Sequence, residues 1–393
     1  MEENALQITF ISNYLNHHQI PLCNQLYSRF GDRFTFVATT SFNRKRLELG
    51  YKDMNKTHPY VLTTYDSSAN LEKSKRLATA SDVLILGSAA DTYMDERLKT
   101  GKLTFRYGER FFKSGISLYT FPRVFLSAKK HLARYQKYSS LYFLCASAYT
   151  AADVNLFSNY KNRAYKWGYF PEIKEYDLSS LFEHKNPSTL LWVGRFLDWK
   201  HPEAPLLVAK RLKEDGLSFQ LNLIGAGEME THIKALINDY CLDECVTVLG
   251  SMPPEAVRKQ MEESGIFMFT SDFNEGWGAV LNESMNSGCA VVASHAIGSA
   301  PFLIDDNKNG LLYKNGDIDD LYKKVKGLLE SPSKQRELGI NAYKALSEQW
   351  CAKNAVDRLT QLSECILSGN SRPNLFDSGV CSAAQILKNN WYK

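Results

Sequence analysis

IFMFTSDFNEGWGAVLNESMNSGCAVVAS, residues 266–294, contains a strand, a glycine turn, a helix and a second strand. IFMFT is a short apolar run of the kind that forms a buried strand. Gly288 supplies a helix stop, which predicts a helix over 278–287, and CAVVAS (289–294) begins the next strand. Two strands joined by one helix run parallel. The turn NEGWG (274–278) therefore falls at the carboxyl end of the first strand, the edge where open α/β sheets bind ligands. Gly276 and Gly278 let backbone N–H groups approach an anion, and the helix start favours a phosphate there. A carboxylate beside a phosphate is repelled by it. Glu275 and Glu283 therefore fit better as acceptors for hydroxyls on either side of that phosphate. A phosphate flanked by hydroxyl-rich groups describes a nucleotide sugar. Taken singly, either glutamate reads better as a solvated surface residue; together with the glycines at that edge, the binding reading is favoured.

The same pattern extends on both sides. STLLWVG (188–194), FQLNLIG (219–225) and CVTVLG (245–250) read as further strands of one sheet, with helices over 202–214 and 228–240 between them. LLWVGRFLDWKHPE (190–203) puts two cations, Arg195 and Lys200, after one of these strands, where they can clamp a diphosphate and neutralise a leaving group. LNLIGAGEME (221–230) is a weak dinucleotide fingerprint, because Glu230 stands where a third glycine belongs; Gly225 serves instead as a tight turn beneath a base.

The first half repeats the alternation. QITFI (7–11), FTFVA (34–38), DVLILG (82–87), KLTFRY (102–107) and LYFLCAS (141–147) predict another parallel sheet. These runs divide the 393 residues into a Rossmann-like domain over 1–172, a linker over 173–187, a second Rossmann-like domain over 188–345 and closing helices over 346–393. Helical spacing of Trp350, Val356, Leu359 and Leu362 marks the closing helix. The eight cysteines form no CxxC pair, and Cys241 and Cys245 read as buried thiols. No apolar run is long enough to span a membrane and no signal peptide is evident, so a cytoplasmic location is expected.

Charge is unevenly spread. Residues 1–170 hold 24 Lys and Arg against 13 Asp and Glu, whereas residues 171–393 hold 23 against 30. The window 97–137 has eleven basic residues and one acid, Glu109. Residues 119–143 mix aromatics with Lys129, Lys130, His131, Arg134 and Lys137, the composition of an interfacial helix facing anionic lipid. A solvated helix face has the same composition. No nucleic-acid motif accompanies the basic stretch, so nucleic acid ranks low as a partner.

These pieces together resemble the retaining glycosyltransferases of family 4, carried by EGWGAVLNESMNSGCAVVA with Glu275 and Glu283 as its E-x7-E. The order VGR…K, IGAGE, SMPPEAV, E-x7-E and IGSAPFLIDDNKNGLL agrees with that family over residues 189–313. The resemblance implies a GT-B fold: two Rossmann-like parallel-sheet domains facing across a cleft, with a C-terminal helix crossing back to the first. It implies transfer of a sugar from a nucleoside diphosphate, with UDP favoured, to a saccharide or lipid-linked glycan of cell-surface polysaccharide. By the same resemblance, Glu283 binds the ribose hydroxyls, Glu275 holds the transferred sugar, and Arg195 and Lys200 bind the diphosphate with Gly276, Trp277 and Gly278 beside them. Gly225 and the Ser251–Met252 turn line the base. No cofactor or metal is implied, and the chain has no convincing DxD motif. In the first domain SNYLNHHQIPL stands where family members often carry a glycine-rich loop, offering Asn16, His17 and His18 to acceptor or donor phosphates. FRYGERFFK replaces a histidine common in relatives and offers Glu109 and Arg110. Association with the inner membrane face through 97–137 is expected. The rival readings are a nucleotide-sugar epimerase of the same fold and a non-catalytic sugar-nucleotide-binding protein; a glycoside hydrolase fits poorly, because both glutamates flank one helix start.

Overall fold

The computed structural model of the chain describes residues 6–42, 52–113 and 120–393. It contains two compact units. One runs to Glu172 and takes in Cys351–Lys388; the other comprises Ile173–Trp350 with Asn389–Lys393.

The first unit is built on a seven-stranded sheet in the order β3-β2-β1-β4-β5-β6-β7. Its strands are β1 (Ile8–Ser12), β2 (Phe34–Ala38), β3 (Val61–Thr63), β4 (Val83–Leu86), β5 (Thr104–Gly108), β6 (Leu141–Cys145) and β7 (Ala164–Lys166). Every pairing is parallel, with Ile8 beside both Phe34 and Val83. Parallel strands buried on both faces read as unbroken apolar runs. VLIL of β4 and LYFLC of β6 are buried throughout.

The second unit has a six-stranded parallel sheet, β10-β9-β8-β11-β12-β13. Its strands are β8 (Asn186–Val193), β9 (Gln220–Ile224), β10 (Val246–Gly250), β11 (Ser264–Phe269), β12 (Ala290–Ser294) and β13 (Leu311–Tyr313). Leu190, Trp192, Leu221, Leu223, Ile266, Met268 and Val292 fill its core. The strand order reverses between β8 and β11, so the loops after those two strands diverge from one crevice.

The sequence signal missed three strands: β3, β7 and β13. Each has three residues and lies at a sheet edge, too short for an apolar run to stand out. The segment 173–187 is not a free connector. It forms the helix Leu178–Glu183 and is fastened to the second unit. Lys174 N–H donates to Asn286 Oδ1 (2.9 Å), Tyr176 Oη to Glu262 Oε1 (2.6 Å), and Lys185 Nζ to the Met261 and Ser264 carbonyls. The closing helix spans Ala352–Leu367 and packs on the Ile20–Phe30 helix of the first unit, burying Val356, Leu359 and Leu362. Trp350 lies outside that helix and packs on Trp277 and Phe302 in the second unit. Cys241 is exposed at a left-handed turn, contrary to its reading as a buried thiol.

Five of the eleven basic residues of 97–137 are engaged within the first unit. Arg97 is fully buried and donates to the carbonyls of Ala78, Ser81, Asp82 and Leu103. Arg106 pairs with Asp91, Arg110 with Asp153, Lys113 with Glu109, and Arg134 with Asp95. Of the basic residues that stay exposed, three lie on the helix Phe121–His131. Arg123, Lys129 and Lys130 lie there beside exposed Phe121, Phe125 and Leu126.

Candidate functional site

In the second unit the turn after β8 and the loop after β11 are joined directly. Lys200 Nζ meets Glu275 Oε2 at 2.5 Å, and Ser271 Oγ donates to the same oxygen at 3.1 Å. Both charged side chains are largely withdrawn from solvent, which strengthens the pair. The backbone holds the two segments in place. Asp272 N–H donates to the Trp199 carbonyl, and Thr270 Oγ1 donates to the Lys200 carbonyl (2.7 Å) while accepting from Trp192 Nε1 (2.8 Å). The Glu275 carbonyl accepts from Gly298 N–H (3.1 Å) and the Trp277 carbonyl from Ser299 N–H (3.2 Å), which ties in the loop after β12.

Glycine is required where these turns touch. A Cβ on Gly225, at φ +144°, would lie 1.8 Å from the Gly194 carbonyl oxygen. At Gly278, with φ +85°, it would lie 2.7 Å from the Phe269 ring. The helix that follows is shorter than expected, Val280–Asn286. Glu283 sits in its first turn, half-buried, and burial raises its carboxyl above the ordinary range while Arg258 pulls it back. Among the described residues no side chain hydrogen-bonds to that carboxylate. Arg258 instead grips the end of the helix through the Glu283 carbonyl and Asn286 Oδ1.

Arg195 is exposed at the mouth of the β8 turn and forms no ion pair among the described residues. Met252 is half-buried in the turn after β10. Gly276 is buried. Trp277 is turned away from the edge. Its ring is fully buried, donates to Asn282 Oδ1 (2.9 Å) and stacks among Phe302 and Trp350, so its side chain supports the loop and offers a ligand nothing.

In the first unit the candidates gather after β1 and β5. The His17 and His18 rings lie 3.7 Å apart, and His18 stacks on Tyr169 at 5.7 Å. Tyr169 Oη donates to Glu109 Oε1 (2.6 Å), and Glu109 also pairs with Lys113. Asn16 organises the turn, its side-chain oxygen accepting from His18 N–H at 3.1 Å. Arg110, expected as a donor contact, is instead buried against Asp153 (3.2 Å) and the Tyr149 ring. Asp153 also accepts the N–H groups of Phe111 and Phe112, so this pair anchors the loop. Sequence reasoning missed Tyr169, Thr270 and Arg258, which act across long chain separations, and Ser271, which lies four residues before Glu275 but carries no motif. Among the described residues no group of three or more His, Cys, Asp or Glu side chains is placed to hold a metal ion.

A seven- and a six-stranded parallel α/β sheet in one chain define the GT-B fold. Residues 174–345 match the family described as glycosyl transferases group 1. Amylovoran biosynthesis glycosyltransferase AmsK of Erwinia amylovora is 32% identical over 140 residues, covering 34% of each chain. An N-acetylgalactosamine-N,N'-diacetylbacillosaminyl-diphospho-undecaprenol 4-alpha-N-acetylgalactosaminyltransferase of Campylobacter jejuni is 32% identical over 141 residues, 36% of this chain and 37% of that one. The matched stretch thus spans about a third of these relatives' length. Among solved structures, Anabaena HepE in complex with UDP superposes with a TM-score of 0.63 at 16% identity, over 92% of this chain and all of that one, a likeness of fold.

Proposed function

We propose that the chain is a retaining glycosyltransferase that moves a sugar from a nucleoside diphosphate to a saccharide or lipid-linked glycan. The observation that carries this reading is Glu283, a recessed carboxylate without a side-chain hydrogen-bond partner, in the helix entered from the Lys200–Glu275 pair. Desolvation without a partner costs free energy, and a ligand's hydroxyls would offset it. In this reading Glu283 accepts from the ribose hydroxyls. Glu275, aligned by Lys200 and Ser271, accepts from the hydroxyls of the transferred sugar.

Lys200 directs one N–H to Glu275 and has two more for a phosphate, and the exposed Arg195 adds a second cation. As the bond from the anomeric carbon to the phosphate oxygen breaks, positive charge grows on the sugar ring and negative charge on the diphosphate. Arg195 and Lys200 stabilise the latter, so no divalent ion is assigned to the reaction. The acceptor hydroxyl attacks from the face the diphosphate leaves and gives its proton to the departing phosphate. Configuration is retained without a protein nucleophile. His18 and Glu109, linked through Tyr169, are assigned to the acceptor.

UDP is the favoured nucleotide, supported by the fold shared with HepE, and the lipid-linked acceptor is supported by the Campylobacter relative. Exposed Phe121, Phe125 and Leu126 with Arg123, Lys129 and Lys130 support docking at an anionic inner membrane face. No helix among the described residues is long and apolar enough to cross a membrane.

The test is a thermal-shift titration with UDP, GDP, ADP and dTDP on the wild type and Glu283→Gln. Stabilisation by one nucleotide that the variant loses is expected. No stabilisation of the wild type by any of them would overturn the reading.

A further inference from the structure

His201 directly follows Lys200 and adopts φ 49°, ψ 56°, the left-handed region that favours glycine. A β-carbon there is strained, and strain of this kind persists where the surroundings hold it for a purpose. The surroundings are acidic. His201 Nδ1 lies 2.9 Å from Glu203 Oε1, and Nε2 lies 3.9 Å from Asp272 Oδ2. Asp198 adds a third negative charge from the same turn. Among the described residues the second oxygen of Glu203 is buried with no hydrogen-bond partner, and the ion pair of this carboxylate is with His201. The neighbouring Tyr313 of β13 is a neutral phenol, pushed up by burial. Glu203 belongs to the segment that carries Lys200, whereas Asp272 belongs to the loop that carries Glu275.

We propose that His201, as an imidazolium held between Glu203 and Asp272, is a positioning residue that braces the Lys200 turn against the Glu275 loop. The inference rests on the donor-site reading given above. Both ring nitrogens donate only in the charged form. The bond to Glu203, with Asp272 and Asp198, raises the His201 pKa above its ordinary value against the opposing effect of burial. The sign follows. A histidine raised on folding contributes its full stabilisation below about pH 6.5 and loses it as pH climbs through the folded value. The brace therefore loosens on the alkaline side of neutrality.

The test uses the full chain, wild type, His201→Asn and Glu203→Gln. Asparagine tolerates the left-handed backbone but carries no charge, and an unliganded melting curve checks that each variant folds. Hydrogen exchange of residues 271–278, without ligand, should be several-fold faster in His201→Asn than in wild type at pH 6, and alike at pH 9. UDP affinity of the wild type should fall roughly tenfold between those pH values, the scale of one charge-assisted hydrogen bond, and should be weak and flat in both variants. Equal exchange protection at pH 6 would overturn the brace. Exchange that behaves as expected while the wild type binds no nucleotide would keep the brace and overturn the donor-site reading instead.

Discussion

The carboxyl edges of the two sheets invite comparison. Each lies where strand order reverses, at β1/β4 in one unit and β8/β11 in the other, and each gathers charged and aromatic side chains. The second edge is woven from backbone. Turns 194–196 and 225–227 touch so closely that only glycine fits, and the loops after β11 and β12 exchange main-chain hydrogen bonds. The first edge is assembled from side chains far apart in sequence: His18 on Tyr169, Tyr169 on Glu109, Arg110 on Asp153. Four of its cations, Arg106, Arg110, Lys113 and Arg134, are each matched by an acid. Positive charge in a sequence is thus a poor measure of positive charge offered to a ligand.

The contrast can be broken most sharply at Gly225. Gly225→Ala should destabilise the second unit by more than about 4 kcal/mol, read as loss of its cooperative transition in chemical denaturation, because backbone cannot retreat from backbone. Arg110→Met should cost roughly 3 kcal/mol by leaving Asp153 buried and uncompensated. It should leave UDP affinity unchanged, and a drop in affinity would return Arg110 to the donor site. Lys200→Ala should lower turnover about 100-fold in a sugar-transfer assay, because Glu275 is left unpaired and the leaving diphosphate is stabilised by one cation fewer.

Glu283→Gln should weaken UDP binding about tenfold by calorimetry while raising the melting temperature of the unliganded protein. Burial raises this carboxyl on folding, so the native state binds the extra proton, and stability from this group is lost as pH rises through the folded value. The glutamine variant should lack that slope. The smallest effect is expected at the 121–131 helix. Phe125→Asp with Leu126→Asp should cut sedimentation with anionic vesicles several-fold, with little change in nucleotide binding.

Legibility in the sequence followed the same divide. Ten strands stood out as apolar runs, and the three that did not were three-residue edges with one neighbour each. Glu275, Glu283 and the glycines could be read because strand, turn and helix are contiguous, so spacing alone put them on one edge. The direct Lys200–Glu275 bond could not, since it depends on β8 and β11 being neighbours although two strands intervene in sequence. Trp277 misled because a tryptophan inside a binding motif resembles a contact, and only packing reveals that it faces Trp350. Arg110 misled for a similar reason. Its partner Asp153 lies far along the chain, in a helix with no motif of its own.

The chain passes between the two units three times, after Glu172, after Trp350 and after Lys388. Cutting the gene at the limits of the matched family, residues 174–345, would therefore not release two working halves. The leading fragment would lose the 352–367 helix and lay open the face of 20–30 that it covers. The trailing one would lose Trp350 from its aromatic stack, and the grip of Trp391 and Tyr392 on His295. A faithful excision of the second unit keeps Ile173–Trp350 and joins Asn389–Lys393 to it through a designed linker.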